Sequence, residues 1–309
     1  MTQLDFVGIG ATKSGTSTLH RLLADHPQLV LPAGKEAPFF SHDERFHRGW
    51  ERYVEDELAS APLDRKWGKI TPQYLAHVDV PARLHAHNPA LRLIALLRNP
   101  IDQTYSYYRM VRRDGLEQRS FTDAVTQMQR TAAADRDRPI APDARAAGYL
   151  VRAEYARCIS RYLERFDASQ LLVHFTEELR DDPEGTLRSV LLHIGVDAEG
   201  YRPATLGGVF NRGGEAQRFP WLVPLARRIT PLRWAWHRLP IETRRRAAML
   251  WKMEVNVARG APEPLDPATR AELRAFFAPD VAQLEALLGR PVPWPEFRAA
   301  PAARAEAAG

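Results

Sequence analysis

Short apolar runs alternate along the first two thirds of the chain with longer stretches whose apolar residues recur at helical spacing. The runs are of strand length: Leu4–Ile9, Gln28–Leu31, Lys66–Ile70, Leu91–Leu97 and Gln170–Phe175. Leu91–Leu97 is apolar nearly throughout, the pattern of a central parallel strand covered on both faces. Helical spacing marks Thr16–Asp25, Val80–His87, Ile101–Arg113, Phe121–Ala133, Gly148–Phe166, Glu177–Arg180 and Pro183–Ile194. Strands separated by helices predict an α/β fold, a parallel sheet flanked by helices on both faces. Ligands in such sheets sit beyond the carboxyl ends of the strands.

From Asp197 onward strand signals fade. Residues 200–217 form a Gly-containing loop, 218–252 is basic and Trp-rich, and 260–267 is rich in proline. Two amphipathic helices, Pro267–Phe277 and Asp280–Leu288, then predict a mostly helical C-terminal region. The expected organisation is a single domain over residues 1–298. It comprises an α/β core (4–196), a loop and basic segment (197–266) and a helical pair (267–298), followed by a frayed Ala/Arg/Glu-rich tail, 299–309.

Composition changes this picture little. The 309 residues are 45% hydrophobic and 26% charged, as in globular proteins, and no apolar run is long enough to span a bilayer. The start of the chain lacks the pattern of a secretory leader, and Cys158 is the single cysteine, which excludes an internal disulfide or a cysteine metal cluster. A reducing, cytoplasmic setting is expected. The net charge of +5 is local in origin: residues 218–252 hold nine Lys/Arg and one acid, Glu242. The remainder, with 34 basic and 37 acidic residues, is slightly acidic.

Four segments carry candidate chemistry. In the first, the strand ending near Gly10 runs through Ala11-Thr12-Lys13-Ser14-Gly15 into a helix starting Thr16-Ser17-Thr18. Such a turn aims backbone N–H groups, a helix dipole and a lysine at one point, a site for phosphate or another tetrahedral anion. It is P-loop-like without being a Walker A loop, because Lys13 precedes Gly15 instead of following it. The second, Gly34-Lys35-Glu36-Ala37-Pro38-Phe39-Phe40, sets a carboxylate beside a lysine and before two aromatics that can raise its pKa toward that of a base. In the third, Gly68-Lys69-Ile70-Thr71-Pro72-Gln73-Tyr74, a lysine stands near a strand end. The fourth runs from Arg98-Asn99-Pro100 to Ser106, where an arginine leaves a buried strand at its carboxyl end, suited to bidentate phosphate binding. Taken singly, each has a bland structural explanation.

Taken in order, the four resemble the sulfotransferases that use 3′-phosphoadenosine 5′-phosphosulfate, especially the heparan sulfate (glycosaminoglycan) branch and its bacterial relatives. Lys13-Ser14-Gly15-Thr16-Ser17-Thr18-Leu19 resembles the family's 5′-phosphosulfate loop, and Lys35–Phe40 the segment with the branch's catalytic glutamate. Lys69–Tyr74 is similar to its K-[ST]-P-x-Y segment with Ile70 inserted, and Arg98 through Ser106 to its 3′-phosphate motif. The resemblance implies sulfuryl transfer to a hydroxyl or amine by in-line displacement, without a metal, releasing adenosine 3′,5′-bisphosphate. It assigns Glu36 as base, Lys13 to the leaving group, Lys35 and Lys69 to the sulfuryl oxygens, and residues 13–18 with Arg98 and Ser106 to the nucleotide. The branch's late Lys/Gly/Arg loop has no clear counterpart; Phe210–Glu215 holds its place, with Arg212 as the residue that covers the nucleotide.

Two rival classes remain open on sequence. A P-loop-like ATP-dependent small-molecule kinase needs an acidic metal ligand, for which Asp102 is the available candidate. A nucleic-acid-binding module would use 218–252 and leave Glu36 and Ser106 without a role, so no nucleic-acid partner is expected. Segment 218–252 itself admits an acceptor-lining role, peripheral membrane contact or a plain helical cap. His42 and His47 are alternative bases with an expected surface role. The acceptor, whether carbohydrate, lipid or small molecule, is not written in these motifs.

Overall fold

In the computed structural model, residues 3–32, 38–58, 62, 64–137, 148–208 and 264–298 are described. Five strands, β1 (Phe6–Gly10), β2 (Leu29–Val30), β3 (Lys66–Ile70), β4 (Arg92–Leu97) and β5 (Leu171–Phe175), form one parallel sheet in the order β2-β3-β1-β4-β5. The glycine and anion motif therefore leaves the middle strand, and Arg98 leaves the strand beside it. Val7 is in register with Lys69 on one side and with Leu93 on the other.

Alternation along the strands sorts the core onto two faces. Val7, Leu93, Ala95 and Leu97 face a large cluster, while Phe6, Ile94 and Leu96 face a smaller one. The smaller cluster is covered by α1 (Thr16–Ala24), α8 (Thr176–Asp181) and α9 (Pro183–Ile194). On the larger lie α2 (Asp43–His47), α3 (Trp50–Leu58), α4 (Val80–His87), α5 (Pro100–Arg113), α6 (Phe121–Asp135), α7 (Tyr155–Leu163) and α10 (Pro267–Leu288). Gly68 makes this packing possible: the Phe6 ring passes where a Cβ would stand, 2.1 Å from the nearest ring carbon.

All five expected strands are present, with ends moved by at most two residues. Three helical expectations need correction. Gly148–Phe166 shortens to Tyr155–Leu163, because residues 149–154 form buried turns instead of helix. The pair 267–277 and 280–288 is one helix with Pro279 inside it. Proline removes one backbone hydrogen bond there, but the adjoining Asp280 carboxylate accepts from the N–H groups of Ala156 and Arg157, both at 3.1 Å. That contact caps α7 from outside and ties it to α10 just after the proline. Finally, α2 and α3 arise in a stretch with no expected element. Phe46, Trp50 and Val54 dock there on the larger cluster, with a left-handed Gly49 between the helices.

No described helix is long and apolar enough to cross a membrane. The basic, Trp-rich segment 218–252 lies outside the described residues.

Candidate active site

The loop between β1 and α1 is built by two residues of positive φ, Lys13 at 67° and Gly15 at 89°. Gly15 is the N-cap of α1 and supplies no side-chain cap, and the first turn of the helix contains no acid. Among the described residues no acceptor meets the N–H groups of Ser14 and Gly15. Two unmet donors at the positive end of a helix fit a phosphate or sulfate oxygen. Lys13, Ser17 and Thr18 are half-buried, and Thr16 is buried.

The carbonyls of this loop are turned the other way, and three in succession are held. Thr12 O accepts from Gln103 Nε2 at 2.9 Å, and Lys13 O from Arg98 Nη1 at 3.3 Å. Thr176 Oγ1 lies 2.9 Å from both Ser14 O and Leu97 O. These side chains come from α5, the end of β4 and the start of α8. Below the loop the Tyr155 phenol sits beside Ser14 and the Arg98 backbone, its pKa pushed up by burial.

Arg98 is thus brought directly to the anion loop. Ser106 is half-buried on α5, three residues beyond Gln103 and so on the same helix face, the one turned to the loop. No hydrogen bond joins Arg98 to Ser106 among the described residues. The start of α5 is braced from the C-terminal region: Asn99 donates to Glu296, and Arg270 bridges Glu296 and Asp102, the latter at 3.0 Å. Glu177, close to Arg98, is held above the usual carboxylate range by burial.

Lys35, Glu36 and Arg212 lie outside the described residues. The chain that follows Glu36 is anchored to the third motif, since the N–H groups of Phe39 and Phe40 donate to the Tyr74 hydroxyl at 3.0 and 3.1 Å. Burial pushes that phenol up to about 12.

Lys69 differs most from expectation. It is 0% exposed; its Nζ donates to Tyr53 Oη at 2.8 Å and lies 4.5 and 5.5 Å from the ring centres of Tyr53 and Tyr74. Burial lowers its pKa to about 7. Contact with a sulfuryl oxygen requires this amine to be uncovered. The reason is its place in β3, one residue before the strand ends at Ile70. Lys69 then points with Trp67 into the larger cluster, while Ile70 points into the smaller one.

His42 is half-buried at the N-cap of α2 and His47 is exposed at its last turn. Thr176 and Tyr155 belong to none of the four sequence motifs, and Gln103 lies inside the fourth without being singled out there. Thr176 carries a usable signal, because it directly follows a parallel strand at its carboxyl end, as Arg98 does.

The family model of the sulfotransferase domain matches residues 4–205. The chain belongs to the sulfotransferase family. This family member is 26% identical over 200 residues to bifunctional heparan sulfate N-deacetylase/N-sulfotransferase 2 of Homo sapiens, covering 62% of the chain and 22% of that protein. It is 29% identical over 204 residues to bifunctional heparan sulfate N-deacetylase/N-sulfotransferase 4 of Mus musculus, with the same coverage. The match thus spans about a fifth of the length of these relatives. A sulfotransferase of Alicyclobacillus acidocaldarius shares the fold, with a TM-score of 0.65 and 24% identity over 94% of this chain and 98% of that one.

Proposed function

We propose that this sulfotransferase-family chain moves the sulfuryl group of 3′-phosphoadenosine 5′-phosphosulfate to a hydroxyl or amine of an acceptor. The observation that carries this reading is the loop of residues 12–15, with its carbonyls tied back and Arg98 at the neighbouring strand end. The loop N–H groups and the hydroxyls of Thr16, Ser17 and Thr18 hold the 5′-phosphosulfate, and Arg98 with Ser106 holds the 3′-phosphate that distinguishes this donor from ATP. The S–O bond to the phosphate breaks as the acceptor's oxygen or nitrogen bonds to sulfur. Lys13 balances charge growing on the leaving phosphate, and Glu36 takes the acceptor proton. Lys35, beside Glu36 in sequence, is assigned to the sulfuryl oxygens. Lys69 acts from beneath, through Tyr53 and the Phe39 ring packed on it (centres 5.1 Å apart). Arg212 covers the nucleotide.

The names of the curated relatives carry N-sulfation of heparan sulfate, which puts a carbohydrate first among acceptor classes. The kinase reading loses its one candidate metal ligand, since Asp102 is paired with Arg270.

The test compares thermal shifts with adenosine 3′,5′-bisphosphate and with ATP–Mg²⁺. Selective stabilisation by the bisphosphate is expected, about 2.7 kcal/mol at a hundredfold excess over Kd. Preference for ATP–Mg²⁺ would reject the proposal. Glu36→Gln should abolish transfer while leaving bisphosphate binding nearly intact.

A further inference from the structure

The anion loop keeps its shape through side chains that grip its carbonyls. A nest of N–H groups forms only when the intervening carbonyls point outward, and an outward carbonyl needs a donor of its own when water is excluded. Gln103, Arg98 and Thr176 are those donors for Thr12, Lys13 and Ser14. Arg98 is already assigned to a phosphate. Gln103 is wholly buried and has no other evident task, and Thr176 stands on the opposite face of the sheet.

We infer that Thr176 and Gln103 are positioning residues that lock the anion loop in its binding shape from opposite faces of the sheet. Thr176 uses both branches of its side chain. The hydroxyl lies 2.9 Å from the carbonyls of both Ser14 and Leu97 and shares its single proton between them, tying the loop to the strand that delivers Arg98. The methyl covers Gly15, lying 4.0 Å from where a Cβ on that residue would be. Threonine meets both needs at once, whereas serine lacks the cover and valine lacks the hydrogen bond. Gln103 does the same work from α5, so the helix that bears Ser106 also fixes the 5′ end of the site. The two phosphate pockets are thereby set in a fixed relation before any nucleotide arrives.

This inference rests on the loop being the 5′-phosphosulfate site, and the test separates the two. Titration calorimetry on the full chain measures the affinity for adenosine 3′,5′-bisphosphate and for adenosine 3′-monophosphate; their ratio reports what the loop contributes. In Thr176→Val the ratio should fall about tenfold, the size of one lost hydrogen bond, with the 3′-monophosphate affinity held within twofold. Thr176→Ser should restore most of it, and Gln103→Met should lower it as valine does. An unchanged ratio, equal losses for both ligands, or no rescue by serine overturns the positioning role. Should Thr176→Val fail to fold, Gln103→Met carries the same comparison: a lowered ratio supports the role and an unchanged one overturns it. A wild-type chain that ignores the bisphosphate overturns the proposed function instead, and this inference with it.

Discussion

The Lys69 amine donates to the Tyr53 hydroxyl at 2.8 Å inside a closed aromatic setting, where burial brings its pKa down to about 7. Glu57 and Arg45 act on it from the α2–α3 side with opposite signs, and its charge adds to burial, the larger cause, in lowering the His87 imidazole to about 4. An unfolded lysine binds its proton up to a pKa near 10.4. Between those two values the unfolded chain holds more protons than the folded one, so this residue makes stability rise with pH above about 7. Lys69→Met removes that slope. Urea midpoints of the two proteins between pH 6.5 and 9 should converge as pH rises, with the variant relatively more stable at the acid end. Parallel pH profiles would show that Lys69 is not desolvated as described.

Gly15→Ala tests the loop geometry directly. The residue holds a φ of 89°, and an added Cβ meets Leu96 Cδ2 at 3.3 Å. Left-handed backbone costs a residue with a Cβ roughly 1–2 kcal/mol. The variant should lose about that much stability and most of its bisphosphate affinity, measured by thermal melting with and without ligand.

Arg98→Ala should weaken adenosine 3′,5′-bisphosphate about 10- to 100-fold, the size of a lost charge-assisted contact. Binding of adenosine 5′-monophosphate should fall less, through the lost support of the Lys13 carbonyl alone. Equal losses in calorimetry would place Arg98 with the loop and not with the 3′-phosphate.

Asp280→Ala removes the carboxylate that accepts from Ala156 and Arg157 at the start of α7. Loss of such a cap costs about 1–2 kcal/mol. Burial raises this carboxyl to about 6, above its unfolded value. The folded state then holds the extra proton, and wild-type stability falls as pH rises from about 4 to 6 through this group. Denaturation curves of wild type and variant across that range should differ by this slope.

Much of the site is legible in the chain because its parts are local. Lys13–Thr18 is a strand, a turn and a helix start in one run, and Arg98-Asn99-Pro100 marks the end of the next central strand. Asn99 does cap α5, accepting from the Ile101 N–H at 3.0 Å, and Pro100 opens that helix. The burial of Lys69 is not legible, because a motif read as text has no faces, whereas one residue of offset in a strand turns a side chain to the other side of the sheet. The helices α2 and α3 carry a signal that the strand-and-helix reading passes over: Phe46, Trp50, Tyr53 and Val54 recur at helical spacing and dock on the larger cluster.

The sequence by itself determined the parallel α/β architecture, the five strands and the strand ends from which the Lys13 loop and Arg98 emerge. Each rests on interactions between residues close in the chain or on a period of two or 3.6. Tertiary structure alone decided that Gln103, Arg98 and Thr176 grip three successive carbonyls of one turn. It also decided that α10 runs unbroken through Pro279 and that Lys69 is buried. The three carbonyl contacts span 85 to 162 positions of chain. They exist because the strand order β2-β3-β1-β4-β5 brings the carboxyl ends of β1, β4 and β5 side by side, and no local pattern records which side chain that adjacency will place beside which carbonyl.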